Sequence, residues 1–166
     1  MKCIIKRLAA TAVAVLWGLG TLSAHAADNA SGTVTYKARS ATFKYAYLIK
    51  GPDAVDPKVT IRELILTAND IGAKLNACKT MSCASGLVEE GMTVDFGAGP
   101  RLNYWLALNN QMVQYSGTAV PAVFTAKQND AARLAGTLRI DAAAAGGPRV
   151  DVEFDVGLTK EFAAAR

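Results

Sequence analysis

Short runs of alternating apolar and polar residues, broken by turn formers, restrict this chain more than any other feature. Val150 to Val156 reads V-D-V-E-F-D-V, and Leu134, Leu138 and Ile140 recur at even spacing within Arg133–Ile140. A period of two sends successive side chains to opposite faces of a strand, whereas a helix needs a repeat near 3.6. Ser31–Lys37 alternates in the same way, and Ala41–Lys50 sets Phe43, Tyr45, Tyr47 and Ile49 on one face. The polar joint Lys37–Ser40 makes these two runs a hairpin. Two prolines and two aspartates in Gly51–Pro57 end that ladder. Lys58–Thr67 is apolar densely enough for a strand covered on both sides.

Asn69–Ala84 is the one stretch without strand character. It predicts a short helix capped by Asn69 or Asp70, with Ile71, Leu75 and Cys78 on its apolar side. Leu87–Phe96 returns to strand with a bend at Gly91. In Arg101–Gly117, Asn109-Asn110 suits a two-residue turn, because asparagine tolerates positive φ. Pairing outward from that turn sets Leu106 opposite Val113 and Tyr104 opposite Tyr115. The other face then carries Trp105 opposite Gln114 and Ala107 opposite Met112. Thr118–Asp130 reads as a loop, Asp141–Pro148 as a flexible surface loop and Lys160–Arg166 as a terminal helical turn. About seven or eight strands, one short helix and no strand-helix-strand rhythm predict a mainly β fold, an antiparallel sandwich or barrel. An α+β sheet with its helix on one face is the alternative.

The N-terminus reads as a secretory signal peptide over residues 1–26. Lys2, Lys6 and Arg7 precede an apolar run from Leu8 to Gly18, and Ala24-His25-Ala26 supplies the small-x-small cleavage pattern. That run is shorter than the roughly 20 apolar residues a spanning helix needs. The expected product is a single β-rich domain over 27–166, periplasmic or secreted after cleavage near Ala26. Three of the 18 basic residues leave with the leader and none of the 14 acidic ones, so the mature charge falls to +1. Lys and Arg are scattered and form no run, which argues against nucleic acid or an anionic membrane surface as partner.

Cleavage also removes His25 and Cys3, leaving Cys78 and Cys83 as the mature thiols. Two cysteines this close in an exported chain are expected to pair as a disulfide. Redox motifs usually space their cysteines by two residues, and two thiols alone do not complete a tetrahedral zinc set. Without histidine, Ser-His-Asp and Cys-His catalysis cannot be assembled. Gly97-Ala98-Gly99-Pro100 is glycine-rich, but its proline lacks an amide a phosphate loop would use, so it reads as a turn. Asp53 and Asp56 are too few for a calcium shell and read as turn formers. Carboxylate chemistry remains, with Glu63, Glu89, Glu90, Asp95, Glu153 and Asp155 as the candidates. On alternating strands such residues mostly face solvent. No catalytic residue, metal site or cofactor is assigned.

The aromatic strand Tyr45–Ile49, the pair Tyr104-Trp105, Arg133-Leu134-Ala135-Gly136 and Gly146-Gly147-Pro148 before V-x-V-x-F occur in an order that resembles small exported bacterial β-sandwich-like proteins of unknown function. The resemblance implies the β fold and carries no active-site residue. The functional expectation is a non-catalytic exported β-domain that binds a protein, an envelope component or a small apolar ligand. Trp105, Met112 and Gln114 form the expected contact surface, because tryptophan commonly anchors interfaces. Two alternatives belong to other classes: a carboxylate-dependent hydrolase, and an assembly protein that pairs through a sheet edge. Nothing in the pattern names the partner or an oligomeric state.

Overall fold

The computed structural model describes residues 28–97, 99–109 and 113–166. The leader, its cleavage point, Ala98 and Met112 lie outside the described residues. The strands are β1 (Asn29–Tyr36), β2 (Arg39–Pro52), β3 (Thr60–Thr67), β4 (Gly91–Phe96), β5 (Leu102–Ala107), β6 (Tyr115–Ala119), β7 (Phe124–Asn129), β8 (Arg133–Asp141) and β9 (Arg149–Glu161). They form one sheet in the order β6-β5-β4-β3-β2-β1-β9-β8-β7. Consecutive neighbours in that order run antiparallel. β9 also meets β2 in parallel, with Leu48 beside Leu158 and Lys50 beside Glu161. Two short helices, α1 (Gly72–Ala77) and α2 (Met81–Ser85), lie between β3 and β4. The mainly β expectation holds, with nine strands among the described residues in place of seven or eight and two short α-helices in place of one.

The sheet curls into a half-barrel, bringing strands distant in its order face to face. Phe96 of β4 meets Phe124 of β7 edge-on at 5.3 Å between centroids, and Tyr36 of β1 meets Tyr115 of β6 at 5.2 Å. The Arg62 guanidinium of β3 donates to the Asn129 Oδ1 at 2.7 Å and to the Asp130 carbonyl at the end of β7. Inside the curl, Phe43, Leu48, Leu64, Met92, Leu106 and Leu134 are fully buried. A second core lies on the outer face of β2 and β3, where Ile49, Ile61 and Ile65 pack against Leu75 of α1, Met81 and Ala84 of α2, and Phe162. These two cores are why Thr60–Thr67 carries apolar residues on both faces.

Local chemistry fixes the helices against that outer face. The Tyr47 hydroxyl donates to Asp70 Oδ1 at 2.6 Å and accepts from the Ile71 amide, and Asp70 Oδ1 takes the Gly72 amide at 2.8 Å. Thr80 caps α2 by accepting from the Cys83 amide at 3.2 Å. Cys78 and Cys83 are disulfide-bonded, joining the end of α1 to the first turn of α2. Lys160 Nζ donates to the carbonyls of Asn76 and Cys78 at 2.7 and 2.6 Å, placing a cation at the C-terminal end of α1.

Several sequence expectations are corrected. Phe43, Tyr45, Tyr47 and Ile49 do not share one face: Phe43 joins the inner core, while Tyr47 and Ile49 join the outer one. The alternation of β2 breaks between Phe43 and Ala46, both in the inner core, at the point where its register with β1 shifts and β1 carries one residue more than β2. The β5–β6 hairpin pairs Leu106 with Tyr115 and Tyr104 with Gly117, two residues beyond the expected register. Its connection is therefore longer than the Asn109-Asn110 turn, although Asn109 does adopt positive φ at 60°. Val113 is consequently exposed and does not pack with Leu106. Gly91 begins β4 instead of bending it, and glycine is needed there because a Cβ would lie 2.0 Å from the Leu66 carbonyl oxygen. Phe124–Asn129 forms edge strand β7 inside the expected loop, five of its six residues exposed and so without apolar alternation. Asp141–Pro148 holds a 3₁₀ turn over Ala143–Ala145 that Gly146 ends at φ 75°. Lys160–Arg166 is no helical turn: β9 continues through Glu161, and Phe162 is buried after it.

Candidate functional site

The outward positions of β3, β4 and β5 form the floor of a cleft. Because side chains alternate, Ile61, Glu63 and Ile65 point outward from β3, Thr93 and Asp95 from β4, and Asn103 and Trp105 from β5. Register places Glu63 directly opposite Asp95, Asp95 opposite Asn103 and Thr93 opposite Trp105. α2 and the loop after β2 stand on either side, so the row ends in a hollow. Its volume is about 400 Å³, and its walls include Val55, Met81, Ser85, Trp105 and Val113, with Ala165 of the C-terminal segment. The Ser82 amide donates to the Ala165 carbonyl at 2.9 Å, holding that segment along α2.

Glu63 and Asp95 are each only 7% exposed, and they are the buried acidic residues among those described. Glu63 Oε1 and Asp95 Oδ1 have no hydrogen-bond partner. Orphaned buried oxygens are costly in an ionised carboxylate, so burial favours the protonated form. Burial pushes Glu63 up to about 8, with Asp95's charge adding to it and the Ser85 hydroxyl opposing. Burial also pushes Asp95 up to about 7, assisted by the charge of Asp53. Asp53 lines the cleft mouth, where its Oδ1 accepts from the amides of Val55 and Asp56. No lysine, arginine or histidine lines the cleft among the described residues. Val55 and Val113, two of the three large apolar side chains left exposed, sit on its rim.

Other residues singled out from the sequence fall elsewhere. Glu153 and Asp155 face solvent on β9, where Lys127 pairs with Glu153 and Arg133 with Asp155 at 2.7 Å. Glu89 and Glu90 lie in the bend before β4, outside the cleft. Asp53 and Asp56 hold backbone amides of their own loop, the turn-forming role. Among the described residues no group of three metal-ligating side chains converges. Trp105 is half-buried in the cleft, whereas Gln114 donates its amide to the Leu108 carbonyl. No described helix is long and apolar enough to cross a membrane.

Glu63 and Asp95 stand among the six carboxylates picked out by type, but their convergence required the β3–β4 register. One signal was available. Each adjoins apolar residues, Leu64-Ile65-Leu66 after Glu63 and Val94 and Phe96 around Asp95, a pattern of strands covered on both faces. Comparison with protein-family models, curated proteins and solved structures finds no match to this chain.

Proposed function

We propose that this chain is an exported, non-catalytic binding domain that takes a small ligand in the cleft over β3, β4 and β5. The observation that carries this reading is the hollow of about 400 Å³ with two buried carboxyls at its floor. Its volume falls within the range of small-molecule sites, and ligand sites typically combine apolar walls with a few convergent polar groups. Export is supported by the leader pattern over residues 1–26 and by the Cys78–Cys83 bond. The test is native mass spectrometry of the protein recovered from an envelope fraction, with its N-terminus read at the same time. A bound small molecule, lost in Val113→Arg, and a chain beginning within a residue or two of Ala27 are expected. A ligand-free protein, or a ligand retained by Val113→Arg, overturns the cleft reading.

A carboxylate-dependent hydrolase is the second reading, favoured by the pairing of Glu63 with Asp95. Directly opposed strand residues have Cβ atoms about 5 Å apart, close enough for the carboxyl spacing of a retaining glycosidase. Against it, a nucleophilic carboxylate must be ionised, whereas burial raises Asp95 to about 7. Turnover of nitrophenyl glycosides that is lost in Asp95→Asn would favour the enzyme.

A further inference from the structure

We propose that the cleft binds an organic ammonium ion with an apolar body. This rests on reading the hollow as a ligand site, and it assigns the chemical class of the ligand. The first observation is charge: Glu63, Asp95 and Asp53 are the titratable groups lining the hollow among the described residues, and all three are acids. An anion entering there finds acidic groups and no cationic side chain among the described residues.

The second observation is the pair of orphaned oxygens. Glu63 Oε1 and Asp95 Oδ1 lack partners on opposed residues of adjacent strands, each residue nine-tenths buried. A protonated amine has three donors and one compact charge, so a single head group can serve both oxygens at once. A bare divalent cation is disfavoured, because calcium requires six to eight oxygens and Asp53 is committed to its own loop amides.

The third observation is the wall. Val55 and Val113 expose apolar surface at the rim, and Met81 and Trp105 extend it inward. An exposed apolar rim around a buried acidic floor matches a ligand with a cationic end and an apolar body, and an indole face attracts cations as well as hydrocarbon. Binding has a proton balance. Burial holds Glu63 and Asp95 partly protonated near neutrality. When the ammonium ion docks, a carboxyl O–H bond breaks, its proton passes to solvent, and the carboxylate so formed pairs with the cation.

The experiment uses the exported protein and three probes of one shape: benzylammonium, benzyl alcohol and benzoate. Of the chain's two tryptophans, Trp17 lies in the leader, so Trp105 fluorescence reports the cleft in the processed protein. Titration calorimetry in two buffers of different ionisation enthalpy reports the released proton. Benzylammonium is expected to bind at least about tenfold more tightly than either other probe. Its binding is expected to release protons, strengthen from about pH 6 to about pH 8, and weaken at least about tenfold in Asp95→Asn. Glu63→Gln provides a second variant if Asp95→Asn does not fold. Equal binding of benzyl alcohol overturns the cation assignment and leaves the cleft a site for neutral ligands. A response to calcium chloride alone, or no response to benzylammonium, also overturns it, and mass spectrometry of the native ligand then decides the binding reading separately.

Discussion

Replacing Glu63 by glutamine should make the protein more stable, and the gain should depend on pH. Glu63 holds its proton up to about 8 in the folded state against an ordinary value of 4.5. Below about pH 4.5 both folded and unfolded chains are protonated there, and the carboxyl costs nothing extra. As pH rises toward 8 the unfolded chain releases the proton while the folded one retains it, so stability falls throughout this window and levels off above it. At about 1.4 kcal/mol per pH unit the full loss is about 5 kcal/mol. Asp95 competes for the same protons and water reaches the cleft mouth, so we expect roughly half, about 2 to 3 kcal/mol. Glutamine keeps the shape and never ionises. Urea unfolding followed by Trp105 fluorescence should therefore show the variant level with the wild type near pH 4 and ahead by that amount near pH 8. A difference between the two proteins that is the same at both pH values would show that Glu63 is ionised and solvated in the folded state, and the argument for a buried acid pair would fail.

Neighbouring residues on β5 should separate core from cleft. Leu106→Ala, at a fully buried position, should cost about 2 to 5 kcal/mol, whereas Trp105→Ala, half-buried on the opposite face, should cost less and abolish ligand binding; calorimetric melting and titration distinguish the two. Reducing the Cys78–Cys83 bond should cost about 2 kcal/mol by the loop-closure estimate, and hydrogen exchange should show loosening confined to α1 and α2 with the sheet amides still protected. Gly91→Ala should cost about 1 to 3 kcal/mol by forcing β4 away from the Leu66 carbonyl, measurable as a lowered urea midpoint.

The fold was legible wherever one face of a strand meets solvent and the other meets core. Arg133–Ile140 and Val150–Gly157 follow that rule, and both strands appear where their alternation predicts. Legibility failed at β7, because an edge strand with polar outward residues carries no apolar period to read. It failed again at β2, where the alternation breaks between Phe43 and Ala46 beside the register shift with β1, a change the run of aromatic residues conceals. The cysteine pair was readable because proximity in the chain enforces proximity in space. Glu63 and Asp95 were readable only as residue types. Their adjacency spans 32 positions and depends on how β3 and β4 align, information held in the ladder and not in either segment.

The position of β9 governs the order in which this molecule assembles. Last of the nine described strands, it lies between β1 and β8, and through the parallel contact it also reaches β2. Until residues 149–161 arrive, β1 lacks a neighbour on one side and the β7–β8 pair has no attachment to the rest of the sheet. Pairings between segments so distant in sequence make folding slow. Closure of the sheet therefore waits for the C-terminal strand, whereas the consecutive hairpins from β1 to β6 can pair before it arrives.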